Sequence, residues 1–279
     1  MREIETALIS EQIEKLFVSA CEDIPENVLE ALKKAQENEQ SELGKEIIKR
    51  IIDNDLLSRE KHLPICQDTG VAVVFAEVGY DVHINGDLYE AINEGVKNAY
   101  VNGFLRKSVV AHPLERINTK NNTPAIVHVK LVKGDKLKLS VAPKGGGSEN
   151  MSVVKMLIPA DGVEGIKKLV VDTVRNGGGK PCPPIIVGVG IGGNFEKCAL
   201  LAKEALLREI DDESSDKICA KLEKDLLKEI NETGVGPMGL GGTVTCLAVK
   251  VNAHPCHIAS LPVAINIQCH ASRHKSVEI

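Results

Sequence analysis

The sequence predicts a mixed α/β (α+β) protein, a helical N-terminal region followed by a mixed sheet with helices, on three observations. Apolar residues between Ile4 and about Glu60, such as Ile13, Leu16, Phe17 and Ala20, recur at spacings of three and four, the period of an amphipathic helix. Val71 to Val78 is β-branched or apolar at successive positions, the pattern of a strand buried on both faces. Beyond it, strand-like and helical runs follow one another with glycine and proline clusters between them. The 279 residues suffice for a well-buried core, and the reading is one domain over 1–279 with a helical part over about 1–60.

Taken in order, Pro25 fits the first turn of a second helix, VLEALKKAQENE, and Ser41 fits the cap of a third, GKEIIKRIIDNDLLSRE. The mixed charges on these helices are those of solvated faces. Asp87 to Val101 is helical by period and ends at Gly103, a C-cap. Ala125–Val132 and Lys136–Ala142 are expected to pair as a hairpin about Lys133-Gly134-Asp135. Gly145-Gly146-Gly147, with a helix expected near Asn150, reads either as an anion-binding turn or as a flexible connection. A helix over about Val163–Arg175 precedes GGGKPCPP, where flanking prolines restrict the backbone of Cys182. IIVGVGIGGNFEKCALLAKEALLRE then reads strand, glycine turn, helix. Its Gly188, Gly190 and Gly193 satisfy GxGxxG, but no second strand ending in an acid follows, as a dinucleotide site requires. A helix over Lys217–Asn231, a glycine-rich turn from Thr233 to Gly242 and a strand over Thr243–Val251 lead to His254, Cys256 and His257.

Composition narrows the function classes. A net charge of -5, three Tyr, four Phe and no Trp supply neither a basic footprint nor stacking platforms for nucleic acid. No run approaches the roughly 18 apolar residues of a membrane span, and the charged N-terminus is unlike a signal peptide, so the reading is cytoplasmic. Eight cysteines in a chain of this size and compartment are thiols or metal ligands rather than a disulfide framework. Cys198 and Cys219 fall at apolar helical positions and read as buried fillers.

The densest chemistry lies in Leu63-Pro64-Ile65-Cys66-Gln67-Asp68-Thr69-Gly70, which gathers a thiol, an amide, a carboxylate and a hydroxyl in one turn. Our reading from these residues is that Cys66 is a metal ligand and that Gln67 and Asp68 face a substrate. Cys66, Cys182 and Cys269 are far apart and form no knuckle, while His254, Cys256 and His257 are too closely spaced for the usual zinc ligation. A thiol nucleophile is also open, since the spacing does not exclude it. Taken singly, Asp68 is also an ordinary turn residue, His257 a satisfied loop histidine and Arg106 a surface charge.

Six motifs in one order change that balance: CQDTG, GFLRKS, KGGGSEN, GGGKPCPP, the glycine run before TVTCLAVKVN, and HIASLPVAINIQC. Together they resemble the alpha subunit of the iron-sulfur (class I) fumarate hydratases and L-tartrate dehydratases, over essentially the whole chain. The resemblance implies a hydro-lyase alpha-type catalytic domain with a [4Fe-4S] cluster held by Cys66, Cys182 and Cys269, one iron being left open. It places Asp68 and His257 on the hydroxyl side of a small dicarboxylate, and Arg106 as its carboxylate clamp. Gln67 and the backbone of Gly145, Gly146 and Gly147 complete the contacts.

Single-chain members of that family continue into a second domain that supplies further basic residues and the carbon base. Here the sequence stops at Ile279, so the expectation is a separate beta subunit in an α2β2 assembly. Fumarate hydration is the first expectation and L-tartrate dehydration the alternative. A cluster-carrying partner without chemistry of its own is the reading from a different class.

Overall fold

The computed structural model describes residues 2–279. The first half contains strand β1 (Arg2–Glu5), helices α1 (Thr6–Glu22), α2 (Glu26–Asn38) and α3 (Glu42–Lys61), strands β2 (Val71–Gly79) and β3 (Val82–Asn85), helix α4 (Leu88–Asn102), and strands β4 (Ile126–Val132) and β5 (Leu137–Lys144). The second contains the single turn α5 (Gly146–Glu149), strand β6 (Val153–Leu157), helix α6 (Gly162–Gly177), strand β7 (Ile185–Gly192), helices α7 (Phe195–Ala205) and α8 (Lys217–Asn231), and strands β8 (Cys246–His254), β9 (Leu261–Gln268) and β10 (Lys275–Glu278). The protein is therefore mixed α/β, with two four-stranded mixed sheets and the parallel pair β1–β3. It divides into two compact units, one of Met1–Pro25, Asp55–Gly146 and Arg273–Ile279, the other of Glu26–Asn54 and Gly147–Ser272.

In the first unit the sheet order is β10-β5-β2-β4, with β2 parallel to β4 and antiparallel to β5. Ile9, Ile13 and Phe17 of α1 meet Ile92, Val96 and Tyr100 of α4 over Ala72, Val74 and Ala76 of β2. The three-and-four spacing of α1 thus becomes one buried stripe. The helices cross closely because Gly95 has no side chain; a Cβ there would stand 2.5 Å from the Ser10 carbonyl oxygen.

Two expectations are corrected here. Ile4 belongs to β1, in parallel register with Ile84, so the helical region begins at Thr6. The strands flanking Lys133-Gly134-Asp135 do not pair with each other, because β2 inserts between them. The turn passes over the end of β2: Asp81 N–H donates to Gly134 O (3.0 Å) and Gly79 N–H to Lys136 O (2.9 Å). A local turn signal reports only that the chain reverses, and the apolar β2 takes the central place because it alone can be buried on both faces.

The second unit has the order β6-β9-β7-β8, with β7 parallel to β8 and antiparallel to β9. Alternation along β7 explains the GxGxxG motif. Ile185, Val187 and Val189 point into the core formed with Val170 and Val174 of α6 and Leu222 and Leu226 of α8. Gly188 and Gly190 point to the other face, where a Cβ would collide with the backbone carbonyls of Ala202 and Cys198 in α7. These glycines seat a helix on the strand and lie within the strand, not in a phosphate-binding turn. Cys198 and Cys219 are buried, as their positions in the sequence suggest. The helix expected near Asn150 is replaced by the single turn α5 and the strand β6, and β9 and β10 complete the two sheets.

No helix among the described residues is long and apolar enough to cross a membrane. Replacing Gly190 with alanine is expected to cost about 3 kcal/mol or more, because backbone carbonyls cannot yield to the new methyl group. Urea unfolding of Gly190→Ala checks this, and unchanged stability would remove the packing role assigned to the motif.

Candidate active site

The CQDTG turn joins α3 to β2, and its residues alternate between anchoring and exposure. Ile65 is buried and its N–H donates to Cys21 O (2.9 Å). Cys66 and Gln67 are exposed, Asp68 is half-buried, and Thr69 and Gly70 are buried. Gly70 adopts φ +78°, and a Cβ on it would stand 2.5 Å from the carbonyl carbon of Lys144, which is directly paired with Val71. Only glycine fits both the left-handed backbone and that approach.

Asp68 is held on both carboxylate oxygens. Gly70 N–H donates to Oδ1 (3.0 Å) and Gly146 N–H to Oδ2 (2.8 Å). The buried Arg273 donates from Nη1 to the Asp68 carbonyl (2.8 Å). A Cβ on Gly145 would stand 3.2 Å from Asp68 Oδ2 and 3.3 Å from Arg273 Nη2, so the first glycine of the triplet makes room for this pair. Gly145 and Gly146 are thus a seat for Asp68, with the Gly146 amide engaged by a carboxylate of the same chain.

Arg106 lies beside the same turn. After α4 ends at Gly103, Leu105 enters the core and Arg106 faces solvent. Arg106 N–H donates to Thr69 Oγ1 (2.9 Å), and that hydroxyl donates to Arg106 O (3.3 Å). Among the described residues the Arg106 guanidinium has no hydrogen-bond or ion-pair partner, and neither has the Gln67 amide group. The first unit therefore brings Cys66, Gln67, Asp68 and Arg106 onto one edge. The buried Tyr100 donates to Thr69 O (2.8 Å) and Gly70 O (3.1 Å) beneath them. Thr69, Tyr100 and Arg273 are supporting residues that sequence reasoning missed. Thr69 lay inside the motif, whereas nothing in the sequence sets Tyr100 or Arg273 apart.

The second unit brings Cys182 and Cys269 to one end of its sheet. Cys182 precedes β7 and Cys269 follows β9, and these antiparallel strands put both at the same edge, where His270 N–H donates to Cys182 O (3.3 Å). Cys182 has φ +56°, a strained conformation for a non-glycine residue, and is half-buried like Cys269. Cys182 Sγ lies 4.0 Å from Lys180 O, and Cys269 Sγ lies 3.7 Å from Ala271 O and accepts from Gln268 Nε2 at 3.5 Å. The glycine-rich turn packs behind: Met238 N–H donates to Pro183 O (2.8 Å), and a Cβ on Gly179 would stand 2.7 Å from Met238 O.

That turn is tied down by Glu39, 1% exposed. Its carboxylate accepts from the backbone N–H of Ser41 (2.8 Å), Thr243 (2.9 and 3.0 Å) and Val244 (2.8 Å), and from Thr243 Oγ1 (3.1 Å). Burial by itself would raise its pKa, but these amide donors outweigh it and hold the group below the usual carboxylate range. No pattern in the sequence marked this residue.

His257 lies elsewhere in the second unit. The loop after β8 carries it at the end where Gly192 pairs with His254, whereas Cys182 and Cys269 sit at the opposite end of β7 and β9. The eight residues of β9 separate the two ends by roughly 23 Å. The exposed ring accepts from Ala259 N–H at Nδ1 (3.1 Å), and an imidazole that accepts at Nδ1 carries its proton on Nε2.

The cysteines sort by environment. Burial pushes the Cys21 and Cys246 thiols up to about 12, and it raises those of Cys198 and Cys219. These four are protected thiols, while Cys66, Cys182, Cys256 and Cys269 reach the surface. Among the described residues no group of three or more His, Cys, Asp or Glu is gathered tightly enough to hold a single metal ion. The accessible loop thiols Cys66, Cys182 and Cys269 nonetheless have the donor chemistry of an iron-sulfur ligand set. Cys66 belongs to the first unit and the other two to the second.

The sequence profile of the family described as fumarate hydratase (fumerase) matches residues 10–278. A Methanocaldococcus jannaschii protein named "Putative L(+)-tartrate dehydratase subunit alpha" is 46% identical over 272 residues, 95% of each chain. An Escherichia coli protein (strain UTI89) named L(+)-tartrate dehydratase subunit alpha is 31% identical over 260 residues, 92% of this chain and 86% of its own. The chain belongs to the hydro-lyase family of fumarate hydratases and L(+)-tartrate dehydratase alpha subunits.

Because the pKa of Glu39 is depressed by folding, its contribution is complete above the unfolded value of 4.5 and is lost as pH falls through the folded value. Glu39→Gln is expected to lose about 1–3 kcal/mol at pH 7, with the gap to the parent narrowing toward pH 3. Urea unfolding at both pH values checks this; a gap that widens on acidification contradicts the assignment.

Proposed function

We propose that this chain is the alpha subunit of a [4Fe-4S]-dependent hydro-lyase that interconverts fumarate and L-malate. One observation supports it most: a thiol, an oriented carboxylate and an unpaired guanidinium share the edge formed by Cys66, Asp68 and Arg106. Cys66, Cys182 and Cys269 would hold the cluster. When bound, it supplies an iron with an open position that acts as a Lewis acid toward substrate oxygen.

The chain's own residues then have distinct tasks. Arg106 presents a planar two-pronged donor to one substrate carboxylate, a role its exposure and lack of a partner leave open. Gln67 adds a polar contact from the same exposed side of the turn. Asp68 moves the proton on the hydroxyl side, and its fixed orientation lowers the cost of reaching the reactive geometry. Gly145, Gly146 and Gly147 border the substrate, and the first two keep Asp68 in place.

His257 shares the hydroxyl-side role in this reading. Its position at the opposite end of the sheet from Cys182 and Cys269 fits a role in a site completed by a second alpha chain. The second substrate carboxylate and the proton on carbon require groups from a beta subunit, in an α2β2 assembly. The setting is cytoplasmic and reducing, and an open iron makes activity sensitive to oxygen. The names of the relatives favour a second reading, L(+)-tartrate as substrate, which differs by one hydroxyl group.

Prepared without oxygen, the assembled subunits are expected to be brown, and Cys66→Ser, Cys182→Ser and Cys269→Ser each to lose the visible absorbance. Colour persisting in all three variants rejects this ligand set. Asp68→Asn and His257→Asn are each expected to cost on the order of 10²-fold or more in kcat with the absorbance retained. Full activity in both would instead make the chain a carrier of the cluster without chemistry of its own. Rates on fumarate and on L-tartrate decide the substrate, and full activity of the alpha chain by itself would exclude the beta subunit's role.

A further inference from the structure

Asn122 is fully buried and stands in the left-handed conformation at φ +62°, which asparagine tolerates better than most residues. Its side chain works in two directions at once. Oδ1 accepts from Ser108 N–H (2.7 Å) and Val109 N–H (3.1 Å), while Nδ2 donates to Gly70 O (3.0 Å). One amide group thus ties the chain just beyond Arg106 to the glycine that closes the CQDTG turn.

We infer that Asn122 is the positioning residue for Arg106, fixing the guanidinium relative to Asp68 without touching substrate. Thr69 holds the Arg106 backbone on one side and Asn122 holds Ser108 and Val109 on the other, so the segment carrying the guanidinium is pinned at two points to Thr69-Gly70. The second point is needed because the chain leaves the body of the unit directly after it. From Val109 to Thr119 it makes a protruding finger, closed by Ala111 N–H to Ile117 O (2.7 Å) and Thr119 N–H to Val109 O (2.9 Å). Residues 111–118 are all exposed, and a lone two-stranded excursion of this kind is marginally stable. Without Asn122, motion of the finger passes directly to Arg106. The side chain must be an amide, since an aspartate keeps the acceptor for Ser108 and Val109 but loses the donor to Gly70.

The inference rests on the proposed role of Arg106, and the test separates the two. In the cluster-loaded assembly, Asn122→Gly keeps the left-handed backbone accessible and removes both tethers. It is expected to raise KM for the dicarboxylate roughly tenfold with kcat changed by less than about threefold, the pattern of lost ground-state binding. Amide hydrogen exchange at Arg106, Ser108 and Val109 is expected to quicken by roughly ten- to a hundredfold, with the visible absorbance unchanged. Asn122→Asp, which retains one tether, is expected between the parent and Asn122→Gly, and it provides the measurement should the glycine variant fail to fold. Unchanged KM and unchanged exchange at Arg106 in a folded variant overturn the inference. If Arg106→Ala leaves KM unaltered, the proposed role of Arg106 fails instead.

Discussion

The carboxylate of Asp68 is gripped by two backbone amides, those of Gly70 and Gly146, and most of the first unit is arranged so that this grip can exist. For Gly146 to reach Oδ2, the end of β5 must run beside the start of β2, and Val71 opposite Lys144 supplies that register. For the register to hold, β2 must be the central strand, buried between its neighbours and beneath α1 and α4. The orientation of one side chain is thus transmitted from a hydrophobic core. Bonds from Tyr100 and Asn122 to the Thr69 and Gly70 carbonyls satisfy polar atoms that the burial of the turn would otherwise strand.

Absence of a side chain is the second device, used for different ends in the two units. Gly70 combines a left-handed backbone with close approach to Lys144, and Gly145 leaves space for Asp68 and Arg273. Gly188 and Gly190 instead let α7 settle onto β7. Two glycine-rich motifs that look alike in sequence therefore have unrelated causes, one serving a polar seat and the other a helix–strand contact.

Among the thiols, location separates inert from reactive. Burial keeps the Cys21 thiol protonated, and the negative charges of Glu22 and Asp68 act in the same direction while Arg273 opposes them. Cys182 and Cys269 converge because antiparallel β7 and β9 bring a residue before one strand next to a residue after the other. The same antiparallel geometry carries His257 away, so a set of residues that resemblance unites is divided in this chain between two ends of one sheet.

By itself the sequence determined the fold class, the amphipathic helices, the buried character of β2 and the family motifs on which the candidate site is built. Each of these is a property of local period, turn chemistry or motif. Only the tertiary structure decided that β2 separates two strands expected to pair, and that Gly145 and Gly146 hold a carboxylate of the same chain. It alone showed that Glu39 secures the glycine-rich turn of the second unit, that Asn122 and Arg273, equally undistinguished in sequence, secure the CQDTG turn of the first, and that His257 stands apart from Cys182 and Cys269. The physical reason is range: period and propensity act over a few residues, whereas register, close approach and the satisfaction of buried polar groups depend on residues as far apart as Asp68 and Arg273.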